Sequence, residues 1–308
     1  MELIRGLSSL RPRHQGSVVT IGTFDGIHPG HRVLIDSLLA HGRRLGRPAM
    51  MLTFEPTPRE YLAAADPPAR LTSWRERWRV LQRTGLDYVL QLKFDEKLRR
   101  VTGEMFMHLL ADEVKAGAVV IGHDFRFGRD GGATAPMLVE AGRRLGFEVD
   151  VVEPVLLDGE RVSSSAIRVA LSKGDLEQAE RLLGRPYSMT GRVVRGNQLG
   201  RNLGFPTANL RLGRKRTPLQ GIFAVRVHGI DERPNAPGVA SLGTRPTVGG
   251  TVPLLEAHVF DYSGDLYGRE IEVEFVSKLR EELHFASLDA LVVQMNQDAA
   301  QARALLDA

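Results

Sequence analysis

Two histidines three residues apart, His28 and His31, close the string Gly22-Thr23-Phe24-Asp25-Gly26-Ile27-His28-Pro29-Gly30-His31. An apolar, β-branched run from Ser17 to Gly22 leads into it, and Val33, Leu34, Leu38, Leu39 and Leu45 follow at helical spacing. In an open α/β sheet, ligands gather beyond the carboxyl ends of the strands. There the glycines let the backbone approach a phosphate, and a helix N-terminus offers unpaired N–H groups and the positive end of its dipole. Two imidazoles on one side of that terminus can donate hydrogen bonds to phosphate oxygens as charge builds in a transition state. A metal held by Asp25, His28 and His31 is the weaker alternative, because the setting already suits phosphate. Either histidine alone is more often an ordinary surface residue; the whole string in this position carries the functional reading.

A second glycine-rich stretch runs Gly191-Arg192-Val193-Val194-Arg195-Gly196-Asn197-Gln198-Leu199-Gly200-Arg201-Asn202-Leu203-Gly204-Phe205-Pro206-Thr207-Ala208-Asn209. No Gly-Lys-Ser/Thr follows, so it is not a Walker A loop, and it is not a G-x-G-x-x-G fingerprint. A loop over phosphates fits Gly196, Gly200 and Gly204, which recur every four residues. Thr207 and Asn209 offer neutral oxygens to a magnesium ion that also holds ATP phosphates. A bulged strand and hairpin would use the same glycines and prolines.

The elements that must position these residues change character along the chain. Strand-like runs at Ser17–Gly22, Ala49–Phe54, Tyr88–Leu92, Ala118–Ile121 and Phe147–Val155 alternate with helical stretches at Gly30–Leu45, Trp74–Thr84, Gly103–Val114 and Ala135–Leu145. This predicts an α/β domain with an open parallel sheet. A short helix from Asp175 to Leu183 stops at Gly184. Beyond Pro186, Arg192–Val194, Gly221–His228, Gly238–Leu242, Leu254–Phe260 and Glu270–Val276 are strand-like. In the last, Ile271, Val273 and Phe275 alternate with Glu270, Glu272 and Glu274, the period of a half-buried antiparallel strand. A small antiparallel β-barrel follows from this run of strands. A final helix is capped by Ser287, with Leu288, Leu291, Val292 and Met295 as its apolar face. The expected class is α/β followed by β, with domains 1–185 and 186–308.

A chain of 308 residues suits two domains, at roughly 100–200 residues each. Hydrophobic residues at 43% and charged residues at 25% argue against disorder. No apolar run approaches the roughly 18–20 residues of a membrane span, and Met1–Gly16 does not read as a secretory signal. With 0 cysteines, disulfide scaffolds, thiolate metal sites and cysteine nucleophiles are excluded. The expectation is a cytoplasmic enzyme. The net charge of +4 is thinly spread, in short clusters such as Arg43–Arg44 and Arg211–Arg216, so nucleic acid is a minor reading.

The first string resembles the HxGH nucleotidyltransferases, and in detail the FAD synthetase module of bacterial bifunctional riboflavin kinase/FAD synthetases. Phe54-Glu55-Pro56-Thr57-Pro58-Arg59-Glu60 resembles that family's second segment, with Thr57 where His is common. Gly122-His123-Asp124-Phe125-Arg126-Phe127-Gly128 resembles a third. Arg161-Val162-Ser163-Ser164-Ser165-Ala166-Ile167-Arg168 resembles its SSTxIR segment, with Ser165 for Thr, a swap that keeps the hydroxyl. The resemblance implies a Rossmann-like domain in which the FMN phosphate attacks the α-phosphorus of ATP. His28 and His31 would be catalytic. Gly22, Phe24, Asp25, Gly30, Arg161, Ser164, Ser165 and Arg168 would hold ATP and the leaving pyrophosphate; an arginine fork such as Arg168 donates two hydrogen bonds at once. Phe54, Asp124, Phe125 and Phe127 would meet the flavin, although core is the commoner place for Phe.

The second stretch resembles the flavokinase signature GRxxGFPTAN. Gly221-Ile222-Phe223-Ala224-Val225, Gly238 to Thr247, and Asp265-Leu266-Tyr267-Gly268 with Leu279-Arg280 continue the likeness. It implies that Gly196, Gly200 and Gly204 enclose ATP, that Thr207 and Asn209 hold Mg2+, and that Glu256 is the base for the riboflavin hydroxyl. A hydroxyl is a poor nucleophile, so a carboxylate within hydrogen-bond reach should help. Arg280 and Phe285 would contact the flavin. The whole implies phosphorylation of riboflavin to FMN, then adenylylation of FMN to FAD with a second ATP. Two alternatives stay open: a flavokinase with a degenerate first domain, and a flavin-binding nucleic-acid regulator. A homo-oligomer is also left open.

Overall fold

A computed structural model describes residues 1–196, 200, 203–231, 233–247 and 250–307. Asn197, Gln198, Leu199, Arg201 and Asn202 of the second glycine-rich stretch lie outside the described residues. Contacts divide the chain into two compact units. The first comprises Met1–Pro68 and Arg77–Val162, the second Ala69–Glu76 and Ser163–Ala308. Helices between Ser163 and Leu183 therefore group with the C-terminal unit, whereas the sequence division falls at Arg185.

The first unit holds a six-stranded sheet in the order β1-β4-β3-β2-β5-β8. The strands are β1 (Glu2–Arg5), β2 (Val18–Ile21), β3 (Ala49–Glu55), β4 (Tyr88–Lys93), β5 (Ala118–Gly122) and β8 (Glu148–Val152), and every pairing is parallel. The helices between them are α1 (Pro29–Leu45), α2 (Pro58–Leu62), α3 (Trp74–Leu81), α4 (Glu96–Arg99), α5 (Gly103–His108) and α6 (Ala135–Leu145). Two short hairpins complete the set: β6 (Arg126–Phe127) with β7 (Ala133–Thr134), and β9 (Leu156–Leu157) with β10 (Glu160–Arg161). Central strands buried on both faces read as continuous apolar runs, which is why β2 to β5 are legible in sequence. One face, with Val19, Ile21, Met50, Leu52, Leu90 and Val119, packs against Phe106, Leu110 and Leu138. β1 is absent from the sequence reading: only Ile4 of its four residues is buried, too short a signal for periodicity. The helix expected from Gly103 to Val114 ends as α5 at His108 and continues as a π-helical turn over Leu109–Glu113.

The second unit opens with α7 (Ser164–Ser172) and α8 (Leu176–Leu183), each begun by a side-chain cap: Ser163 accepts from the Ala166 N–H and Asp175 from the Gln178 N–H. A closed antiparallel barrel follows in the order β11-β12-β15-β14-β13-β16. Its strands are β11 (Ser188–Val194), β12 (Ala208–Arg211), β13 (Gly221–His228), β14 (Ala236–Thr247), β15 (Gly250–Val259) and β16 (Glu270–Arg280). β16 closes the barrel by pairing with both β11 and β13, and its Ile271, Val273 and Phe275 are buried as the alternation requires. β12 is the strand missing from the sequence reading; it is four residues long and hidden in the glycine-rich stretch. Segment Ala69–Glu76 is held in this unit by Arg214, whose guanidinium donates to the Glu76 carboxylate at 2.6 Å, and by Tyr187, whose hydroxyl donates to the Leu71 carbonyl. The last helix, α9 (Leu288–Leu306), is capped by Ser287 as expected. Its buried positions, however, are Asp298, Ala302 and Leu306, and Leu288 is 65% exposed. Ala302 and Leu306 pack on Ala224 and Phe260, so the C-terminal half of α9 closes the core.

Candidate active sites

The loop between β2 and α1 is a compact, side-chain-filled turn. His28 is the residue immediately before α1, with Pro29 in the first helical position; proline's fixed φ and missing N–H suit that place. The His28 carbonyl accepts from the His31 N–H at 2.8 Å, which folds the two side chains together. Their rings stack with centroids 3.7 Å apart and planes 21° from parallel. Phe24 also meets His31, its ring tilted 52° at 5.1 Å. The glycines are spatial requirements here. A Cβ on Gly30 would lie 3.2 Å from the His28 ring and 3.7 Å from the Val162 carbonyl, and one on Gly22 would lie 3.0 Å from the Phe24 ring. Asp25 and His28 are buried. The Nδ1 of His31 is sealed from water and meets no hydrogen-bond partner. Burial first, then the neighbouring His28 and the Arg77 cation, hold the His31 imidazole well below its usual range. It is therefore neutral at pH 7.

Of the further predicted residues in the first unit, Arg161 on β10 donates to Asp124 at 2.6 Å. Burial alone would raise the Asp124 carboxyl; the Arg161 hydrogen bond and charge, with His123, outweigh it and hold the carboxyl below its ordinary value. A residue predicted for ATP and one predicted for flavin are thus brought together. Phe125 and Phe127 stack at 5.3 Å, but Phe127 is closed off in the core beside Phe106. Phe54 and Phe125 lie at the margin of that core and keep exposed surface. In the second unit, Ser164 and Ser165 open α7, and Arg168 donates to the Ala69 carbonyl at 2.6 Å.

The barrel residues converge through strand register. Glu256 on β15 sits directly opposite Asn209 on β12 and Ser241 on β14. Opposite residues in an antiparallel pair share a face, so the predicted base and metal ligand stand side by side. Leu255, Ala257 and Val259 turn inward and are buried, while Glu256 and His258 lie half-buried on the other face. Asn209 is buried, and a Cβ on Gly196 would collide with its amide. A Cβ on Gly200 would strike the Phe205 carbonyl. Gly204 holds φ +84, a conformation that favours glycine. Thr207 lines a cleft of about 370 Å³ with Arg195, Asp265 and Tyr267. The Arg195 guanidinium lies 5.7 Å from the Tyr267 ring centroid. Arg195 was not singled out from sequence; its place at the end of β11, just before Gly196, was the available signal. Arg280 and Phe285 also meet, at 5.8 Å, and Arg280 forms a two-pronged ion pair with the buried Asp298.

The chain carries a parallel-sheet unit with a stacked histidine pair at a helix terminus and a closed six-stranded barrel with Glu256 on one of its strands. The comparisons give it a family. The FAD synthetase profile matches residues 10–166 and the riboflavin kinase profile residues 183–306. The bifunctional riboflavin kinase/FMN adenylyltransferase of Escherichia coli K12 is 45% identical over 98% of this chain and 97% of its own. Those of Pseudomonas fluorescens and Haemophilus influenzae are 45% identical (99% and 98% covered) and 41% identical (100% of both chains). A crystal structure of a Streptococcus pneumoniae protein described as a macrolide-efflux protein is 31% identical over 98% of both chains, with a TM-score of 0.79. In this chain, no helix among the described residues is long and apolar enough to cross a membrane. The chain belongs to the bifunctional riboflavin kinase/FMN adenylyltransferase family. It phosphorylates riboflavin to FMN and adenylylates FMN to FAD.

Proposed function

We propose that FMN adenylylation takes place at the Gly22–His31 loop, and that the stacked pair His28 and His31 is its catalytic centre. The observation that carries this is the pairing itself: two imidazoles in contact at the N-terminus of α1, one of them held neutral. An oxygen of the FMN phosphate attacks the α-phosphorus of ATP, the new P–O bond forms, and the bond to the bridging oxygen breaks, releasing pyrophosphate. The nucleophile is already an anion at pH 7, so no base is required, and positioning with charge neutralisation supplies most of the rate. A neutral imidazole keeps an N–H to donate to phosphate oxygens. Gly22, Phe24, Asp25 and Gly30 shape the loop; Arg161, Ser164, Ser165 and Arg168 are assigned to ATP, and Phe54, Asp124 and Phe125 to the flavin.

In the barrel, Glu256 is assigned the proton of the riboflavin hydroxyl as its oxygen attacks the γ-phosphorus of the other ATP and ADP leaves. Gly196, Gly200 and Gly204 shape the phosphate loop, and Arg280 with Phe285 borders the flavin. Among the described residues no cluster of three or more His, Asp or Glu is arranged to hold a metal. That fits magnesium, a hard cation that takes one or two protein oxygens and completes its shell with water and phosphates. Thr207 and Asn209 would hold it, and it would offset phosphate charge. The domain division 1–185 and 186–308 and a cytoplasmic location are carried forward as part of this proposal. The test incubates the protein with riboflavin, ATP and magnesium and follows the flavins in time. FMN first and FAD after it is the expected order, and a His28→Ala, His31→Ala double variant should stop at FMN. FAD from that variant would overturn the site assignment.

A further inference from the structure

Arg77 on α3 is among the most completely buried side chains of the chain, 1% exposed. A buried guanidinium is costly unless its donors are satisfied, so its partners show what it serves. One is the carbonyl of Thr23, within the loop that ends in His28 and His31; Nη1 donates to it. Another is the Glu55 carboxylate at the end of β3, which accepts from Nη2 at 3.2 Å. The cation thus ties the loop after β2 to the neighbouring strand of the sheet.

The loop has reason to need such a tie. Immediately after Thr23, Phe24 adopts φ 50, Gly26 φ 89 and Ile27 φ 45. Left-handed backbone at a bulky or β-branched residue is a real outlier and persists only where the surroundings over-determine it. Phe24 and Ile27 are locked by burial, at 1% and 0% exposure. Arg77 supplies the polar lock at the residue where the turn begins.

We propose that Arg77 is a positioning residue for adenylyl transfer: by holding the Thr23 carbonyl, it fixes the strained loop that sets the His28–His31 pair, and Glu55 in turn holds Arg77. This rests on the reading of that loop as the adenylylation site. The groups around His31 agree: His28 stacks on it, and the Arg77 charge is one of the influences that keep its imidazole neutral.

The test measures FAD formation from supplied FMN and, on the same full-length samples, FMN formation from riboflavin as the control for folding. Arg77→Met is expected to lower kcat for FAD formation by roughly 10²-fold, the scale of a small misplacement of reacting groups, with KM for ATP within about threefold and the kinase unchanged. Arg77→Lys, which keeps a charge and a donor, is expected to recover at least about tenfold of that loss. Should Arg77→Met not fold, Glu55→Gln serves instead, with an expected fall in kcat of about three- to tenfold. A kcat within threefold of wild type in a folded Arg77→Met protein overturns the proposal, as does a Lys variant no better than Met. So does a Glu55→Gln enzyme of wild-type kcat where that variant is the one tested. The His28→Ala, His31→Ala variant separates the two failures. If it still makes FAD, the site reading is wrong; if it does not and a folded Arg77→Met protein keeps a kcat within threefold of wild type, only the positioning role is.

Discussion

The loop Gly22–His31 and the strand pair β12–β15, the two proposed centres, are built from opposite materials. The loop is irregular, with two non-glycine residues at positive φ, and it is held by burial and by a buried cation. The strand pair is regular, and register alone sets Glu256 against Asn209. On the proposed assignments the difference follows from the nucleophile. A phosphate arrives ionised and needs donors around it, which a turn at a helix terminus can aim from several directions. A ribityl hydroxyl arrives protonated and needs one carboxylate at one place, which a strand fixes well.

The sharpest way to break this comparison is to remove each centre and read both reactions. His28→Ala with His31→Ala should abolish FAD formation while FMN formation persists, because the residues lie in different units. Equal loss of both in a folded protein would dissolve the two-site division. Glu256→Gln should slow the kinase by roughly 10²–10⁴-fold, the usual scale for losing a general base, and leave FAD formation from supplied FMN intact. A near-wild-type kinase would remove Glu256 from its assigned role.

The two regions were unequally legible in sequence. His28, His31, Gly22 and Gly30 were readable because a strand, a glycine turn and a helix follow one another locally. The stacking of the imidazoles follows from that short spacing. Glu256 and Asn209 are 47 positions apart in numbering, and only the resemblance singles out Glu256; β12, which brings them together, is four residues long, too short for its alternation to stand out. Arg77 gave no signal at all, since its partners Thr23 and Glu55 are distant in sequence and an arginine in a helix reads as solvent-facing. The face of α9 differs in part for a related reason: Leu291, Val292 and Met295 are half-buried as their spacing suggests, but Leu288 is exposed, and Ala299, Ala302 and Leu306 further along the helix pack on Ala224 and Phe260.

A gentler probe asks how tightly the first loop is filled. Gly30→Ala would push a methyl to 3.2 Å from the His28 ring, close enough that the ring must give by a few tenths of an ångström. Displacing one member of a stacked pair should lower kcat for FAD formation by about tenfold, less than the roughly 10²-fold of a full ångström's misplacement, and spare the kinase. Its counterpart in the barrel is Gly196→Ala. There the new methyl would meet the Asn209 amide, and the kinase should be the reaction that slows. A reversed pattern in either variant would mean that the crowded side chain is not used where it has been assigned.

The smallest expected effect concerns protons, and it too separates the regions. His31 is held neutral in the folded state, first by burial and then by its neighbours, whereas in the unfolded chain an imidazole titrates near 6.5. Below about pH 6.5 the unfolded chain therefore binds a proton that the folded one refuses, and stability rises with pH wherever the unfolded state binds more protons. The contribution of this group is thus full above about pH 6.5 and is lost progressively as the pH falls towards the depressed folded value. The slope can reach at most about 1.4 kcal/mol per pH unit for one group. Thermal unfolding of the wild type and of His31→Gln, which has nothing to titrate at that position, should be followed between pH 7.5 and 5.5. The wild type should lose stability more steeply, with the gap opening only on the acid side. Parallel curves would mean that His31 takes up its proton as easily in the folded loop as outside it, and that burial of its Nδ1 does not oppose protonation.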